Sequence, residues 1–80
     1  MIVVKMDKKG RVHEVLRSEK QSPGFQGFDA EGNIIWAVDV DNAEIAVKIV
    51  DEWRRTILAY GAWKDPEAIK EIFRIKGGQL

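Results

Sequence analysis

The chain contains no cysteine. That excludes a disulfide scaffold, a cysteine-based zinc site and thiol chemistry. Histidine occurs once, at position 13, and serine only at positions 18 and 22, so few parts exist for a nucleophilic triad. No apolar run approaches the ~18 residues that crossing a bilayer requires. The first residues lack the basic and apolar layout of a signal peptide, and the expectation is a cytoplasmic chain. An excess of either charge is also missing: 13 basic and 13 acidic side chains give a net charge of zero. A dedicated duplex-DNA binder usually carries a large basic excess.

What remains is a chain of 80 residues, 45% hydrophobic and 32% charged, which reads as one folded domain. Its charges are segregated. Residues 1–20 hold six basic and three acidic side chains, 21–52 hold one and seven, and 53–80 hold six and three. The simplest consequence is mutual neutralisation within one fold. The arrangement also leaves room for a local basic face or for complementary contacts between subunits.

Two segments share one turn chemistry. Residues 1–7 and 11–17 flank Asp7-Lys8-Lys9-Gly10, and residues 25–29 and 33–40 flank Asp29-Ala30-Glu31-Gly32. In Asp-x-x-Gly the aspartate accepts backbone N–H bonds to open a type I turn. Glycine then takes the positive φ that closes it. Each unit is expected to be a β-hairpin. Ser22-Pro23-Gly24 interrupts the intervening stretch, so residues 18–24 form a linker. Chain order suggests a four-stranded antiparallel meander over residues 1–40.

The turns predict a register. Asp7 faces Arg11, so Met6 pairs with Val12, Val4 with Glu14 and Ile2 with Leu16; Phe28 pairs with Ile34 and Gln26 with Trp36. One face then collects Ile2, Val4, Met6, Val12, Leu16, Phe28, Ile34, Trp36 and Val38. The other mixes Val3, Val15, Phe25, Ile35 and Ala37 with Lys5, His13 and Arg17. A solvated sheet face alternates to polar more cleanly than that.

Two helices are expected after the strands, within residues 41–76, followed by a tail at 77–80. The first runs from about 42 to 60. Asp41 and Glu44 supply a capping box, Val40 and Ile45 a hydrophobic staple, and Gly61 the stop. Its apolar residues cover an arc of about 220°, wider than one sheet face fills, so a second element or subunit is expected there. Asp65-Pro66-Glu67 starts the second helix with a cap, a proline at the first helical position and an acid; Gly77-Gly78 ends it. The fold class is α+β, ββββαα.

No catalytic constellation is visible. His13 has no acid on its own predicted strand face and reads as a surface residue. Asp39, Asp41 and Glu44 invite a cation, but capping accounts for two of them and no metal-loop spacing follows. Lys8-Lys9-Gly10-Arg11 has neither Walker spacing nor a dinucleotide fingerprint and reads as a soluble turn. No catalytic residue, metal or cofactor is expected.

Two functional classes follow. The first is a small non-enzymatic module that forms a homodimer or docks on a protein. Its expected interface is Ile45, Ile49, Trp53 and Trp63 with Val3, Val15, Phe25 and Ile35, although core packing already accounts for Trp53. The second is a single-stranded nucleic-acid binder using Lys5, His13, Arg17 and Phe25 on one sheet face. In element order alone, four meandering strands and a helix resemble the transcriptional positive cofactors that dimerise and bind single strands. That resemblance implies single-strand binding. No motif of that family is matched, and the acidic middle segment opposes a polyanion.

Overall fold

The computed structural model describes residues 1–75. Its element order is β1 (Ile2–Met6), β2 (Val12–Arg17), β3 (Gly24–Phe28), β4 (Ile34–Val38), α1 (Ala43–Ala59) and α2 (Pro66–Ile75). The ββββαα order is therefore the one expected. The expected stop at Gly77-Gly78 and the tail at 77–80 lie outside the described residues.

The sheet is not a meander. Its order is β2-β1-β4-β3, all neighbours antiparallel, so the two hairpins join through β1 and β4. Composition explains the choice. Ile2-Val3-Val4 and Ile34-Ile35-Trp36-Ala37-Val38 are apolar on both sides and gain most from central positions. The half-polar β2 and the glycine-containing β3 take the edges, where ladder bonds are lost at least expense to the core. The linker must then cross three inter-strand spacings, about 14 Å. Six residues at up to about 3.3 Å each reach that easily.

Both turns hold as expected. Asp7 Oδ1 accepts from the N–H groups of Lys9 and Arg11, each at 2.9 Å. Asp29 Oδ1 accepts from Glu31 at 3.0 Å and Asn33 at 2.8 Å. Gly10 and Gly32 take φ of +90° and +86°. Met6 faces Val12 and Phe28 faces Ile34. One residue further on, each hairpin departs from the simple register. His13 and Gln26 are bulged, so Val4 faces Val15, Val3 faces Leu16, and Phe25 faces Trp36. A bulge adds one residue to an edge strand and moves everything beyond it to the other face.

The packing benefit is visible at Phe25. Its ring meets Trp36 edge-on, with centroids 5.8 Å apart, and Phe28 at 5.6 Å. Trp36, fully buried, also meets Trp53 at 5.0 Å and Phe73 at 5.5 Å. Ile2, Val4, Met6, Ile34 and Val38 complete the sheet side of the core, beneath Ala46, Val50 and Ile57 of α1 and Ile69 of α2. The second element expected against the wide arc of α1 is thus in part α2, through Phe73 against Trp53 at 5.8 Å.

The start of α1 differs by one residue from the expected cap. Asn42 Oδ1, not Asp41, accepts the N–H of Ile45 at 3.0 Å. Position N3 is then Ile45, and no capping box with Glu44 forms. Asp41 is instead the partner of Arg17. At the other end Gly61 N–H donates to Leu58 O, and Ala62 N–H to Ile57 O, both at 3.0 Å. That is the paired-bond C-terminal motif that glycine in the left-handed region permits. Asp65 caps α2 through Ala68 N–H at 3.1 Å, with Pro66 first in the helix, as expected.

Candidate interaction surface

The sheet is four strands wide, but the helical layer is narrower. α1 rests chiefly on β1 and β4, and α2 reaches β3. Among the described residues β2 has no comparable packing against either helix. All six of its residues are exposed, including Val12 at 42%, Val15 at 38% and Leu16 at 43%. Such apolar exposure on both faces of one strand is unlike the alternation of a solvated edge.

The backbone of β2 adds to this surface. Ser18 N–H donates to Met1 O at 2.9 Å, so that end of the ladder points inward at position 18. Alternation then turns the N–H and C=O groups of Leu16 and Glu14 toward β1, and those of Arg17 and Val15 outward. Val15 therefore carries an apolar side chain and an outward backbone donor and acceptor at the middle of a free edge. The helix-free face of the sheet continues the surface with Leu16, Val3 and Ile35, the last two half-buried.

The expected interface residues divide. Ile45 is exposed at 49%, and Val15, Val3 and Ile35 lie on or beside the open surface. Ile49 and Trp53 pack against the core instead. Phe25 lies on the helix side because of the Gln26 bulge. Trp63 is half-buried, meets Phe28 at 6.4 Å and donates its indole N–H to Gly32 O at 3.3 Å. It fastens the connection between the helices and is not a free anchor. The His13 bulge moves Leu16 to the helix-free face, whereas Val12 keeps its expected pairing with Met6 and is exposed all the same.

The residues expected to contact single strands do not share a face. Lys5 is on the helix-free side, bridged to Glu14 at 3.4 Å and Asp29 at 3.6 Å. His13 sits at the bulge, with Nε2 2.9 Å from Asp7 Oδ2, so the acid it lacked in the expected register is present. Arg17 turns to the helix side and pairs with Asp41; Phe25 is in the aromatic cluster. Lys5, His13 and Arg17 thus each already face a carboxylate. The His13 contact, with the backbone N–H groups of Arg11 and Lys9, holds the Asp7 carboxyl at about 2. The Asn33 side-chain amide, 2.8 Å from Asp29 Oδ2, is the main reason the Asp29 carboxyl also lies below its ordinary value.

Among the described residues no group of three or more histidine or acidic side chains is placed to hold a metal ion. No described helix is long and apolar enough to cross a membrane. No protein-family model, curated protein or solved structure matches this chain.

Proposed function

We propose that the chain is a non-enzymatic interaction module that pairs with a second copy of itself along β2. The observation that carries this reading is the exposure of every residue of β2, with Val12, Val15 and Leu16 each about two-fifths exposed at a free ladder edge. A two-fold axis through Val15 is self-complementary. The outward N–H and C=O of Val15 meet those of Val15 in the second copy, and the four-stranded sheets become one of eight. On the helix side Val15 covers Val15; on the open side Leu16 covers the stem of Glu14. A free apolar edge would otherwise recruit strands indiscriminately.

Sedimentation equilibrium of the wild type and of Val15→Pro tests this. Proline at 15 removes an outward N–H and leaves the inward ladder bonds of β2 in place. The expected result is a wild-type mass of twice the 9.1 kDa chain at 100 µM or so, and a folded monomer for the variant. A folded wild-type monomer at that concentration overturns self-pairing. It would leave addition of a strand from another protein as the use of the same edge.

A further inference from the structure

The antiparallel pairing of β1 with β4 places both Asp-x-x-Gly turns side by side at one end of the sheet. The connection between α1 and α2 reaches the same end, because Trp63 donates to Gly32 O. Between these three segments lies an open cleft of about 350 Å³. Lys8 and Lys9 from the first turn, Arg11 from the start of the returning strand, and Lys64 from the helix connection all line it.

These four cations differ from most of the others. Lys5, Arg17, Arg54, Arg55, Lys70 and Arg74 each have a carboxylate within 4.0 Å. Among the described residues, Lys8, Lys9, Arg11 and Lys64 are found in no such pair, and two segments far apart in the chain, the first hairpin turn and the helix connection, bring them to one cleft. Two acids also line it, Asp7 and Glu31. The Asp7 carboxylate is committed to Lys9 N–H, Arg11 N–H and His13. The cleft keeps a positive balance in a chain whose net charge is zero.

The walls are fixed before any ligand arrives. Arg54 donates to Lys8 O at 3.0 Å and holds the first turn against α1. Asp51 orients that guanidinium at 2.9 Å. Asp29 and Trp63 hold the second turn. Lys64 itself sits at φ +74°, a left-handed conformation that favours glycine, yet the residue there is a lysine that lines the cleft. The backbone that carries the cations is thus ordered in advance, so that only their exposed side chains become fixed when an anion is captured.

We propose that this cleft binds a di- or triphosphate group. Lysine ammonium groups suit phosphate as mobile point charges, and the arginine fork engages two oxygens at once. Four cations against two acids leave a net charge of +2 in the lining, which matches a multiply charged oxyanion better than a single carboxylate. The volume is at the small end for ligand sites, which suits a phosphate chain lying across an open floor. This inference is independent of the pairing along β2.

The test is a titration of ¹⁵N-labelled protein with inorganic triphosphate, with ATP as the second arm, followed by amide and indole chemical shifts. Saturable shifts are expected at Gly10, Arg11, Gly32 and Lys64 and at the Trp63 indole N–H. Lys9→Ala with Lys64→Ala is expected to weaken binding at least tenfold. Lys20→Ala with Lys48→Ala removes the same charge elsewhere and is expected to change it less than threefold. Equal affinity of the two ligands assigns the site to the phosphates alone; tighter ATP binding adds a nucleoside contact to the same oligophosphate site. Equal weakening by both double variants, or shifts spread to Lys20 and Lys48, overturns the proposal. So does an eight-nucleotide single strand that displaces triphosphate and binds more tightly, because the cleft would then be part of a nucleic-acid surface.

Discussion

The indole N–H of Trp63 donates to the backbone carbonyl of Gly32 across 3.3 Å, joining two segments 31 positions apart in the chain. This bond couples the helical layer to the second hairpin at its turn. Trp63→Phe keeps the ring against Phe28 and removes the bond, so a loss of about 0.5–1.5 kcal/mol is expected. Trp63→Ala also removes the half-buried ring and is expected to lose about 2–4 kcal/mol. Urea unfolding of the two variants separates bond from ring. No loss in Trp63→Phe would show that the hydrogen bond contributes nothing of its own; equal losses would show that the ring adds nothing beyond it.

The two turn glycines provide an internal comparison. Gly10 and Gly32 have nearly the same positive φ, and valine resists that conformation by about 1–3 kcal/mol at either place. A Cβ at Gly32 would meet nothing within 4 Å, whereas one at Gly10 would lie 3.1 Å from the Arg54 guanidinium. Gly10→Val is therefore expected to exceed Gly32→Val, and Arg54→Ala should close the gap. Unfolding midpoints of the three variants and of the Gly10→Val, Arg54→Ala double variant decide it.

Turn chemistry was legible in the sequence because it is local: Asp accepts from the next residues, and glycine supplies φ. The same holds for Asp65-Pro66 at the start of α2. Pairing of β1 with β4 was less legible, since it depends on which strands gain most from burial on two faces. The bulges at His13 and Gln26 were not legible. They are set by where Val15 and Phe25 come to rest, and that depends on the whole core. The candidate surface inherits this division. Val15 is among the expected interface residues, but the bulge exchanges the expected faces of both Val15 and Leu16. The cleft was missed because Lys8 and Lys64 become neighbours only after the hairpins join.

The bulge at Gln26 makes its own prediction. In the observed register Phe25 is in the core, so Phe25→Ala is expected to destabilise by about 3–4 kcal/mol. Gln26 is exposed and bonds only Ser22 O and Gly24 O through its amide nitrogen, so Gln26→Ala is expected to lose under about 1.5 kcal/mol. Thermal unfolding of both variants reads the register. An unbulged pairing would reverse the order.

Asp7 gives a pH signature. Its carboxyl is held at about 2 in the folded chain, first by the His13 contact and then by the N–H of Arg11. A folded-state value below the unfolded one means the carboxylate stabilises above the ordinary aspartate range, near 3.9, and loses that effect as pH falls toward 2. The gap in unfolding midpoint between wild type and Asp7→Asn should narrow below about pH 4 and be lost as pH falls through about 2. In His13→Ala the Asp7 carboxyl should titrate closer to its ordinary value, read by its ¹³C shift. An unchanged titration would remove His13 as the main cause.

Hydrogen exchange tests the edge residue by residue. The amides of Leu16 and Glu14 point to β1 and should be protected in monomer and dimer alike. Those of Val15 and Arg17 point outward, so in the monomer only local fluctuation separates them from water. Pairing through a two-fold at Val15 buries both in a new ladder. Their exchange should slow with rising protein concentration, by tenfold or more once the dimer predominates, while Leu16 and Glu14 stay constant. The equilibrium constant from that dependence should match the one from sedimentation. Dimerisation with Val15 and Arg17 still exchanging freely would place the contact elsewhere, with the exposed Ile45 at the start of α1 as the next surface to substitute. Ile45→Glu would then abolish the dimer without unfolding the chain, because that side chain lies outside the buried core.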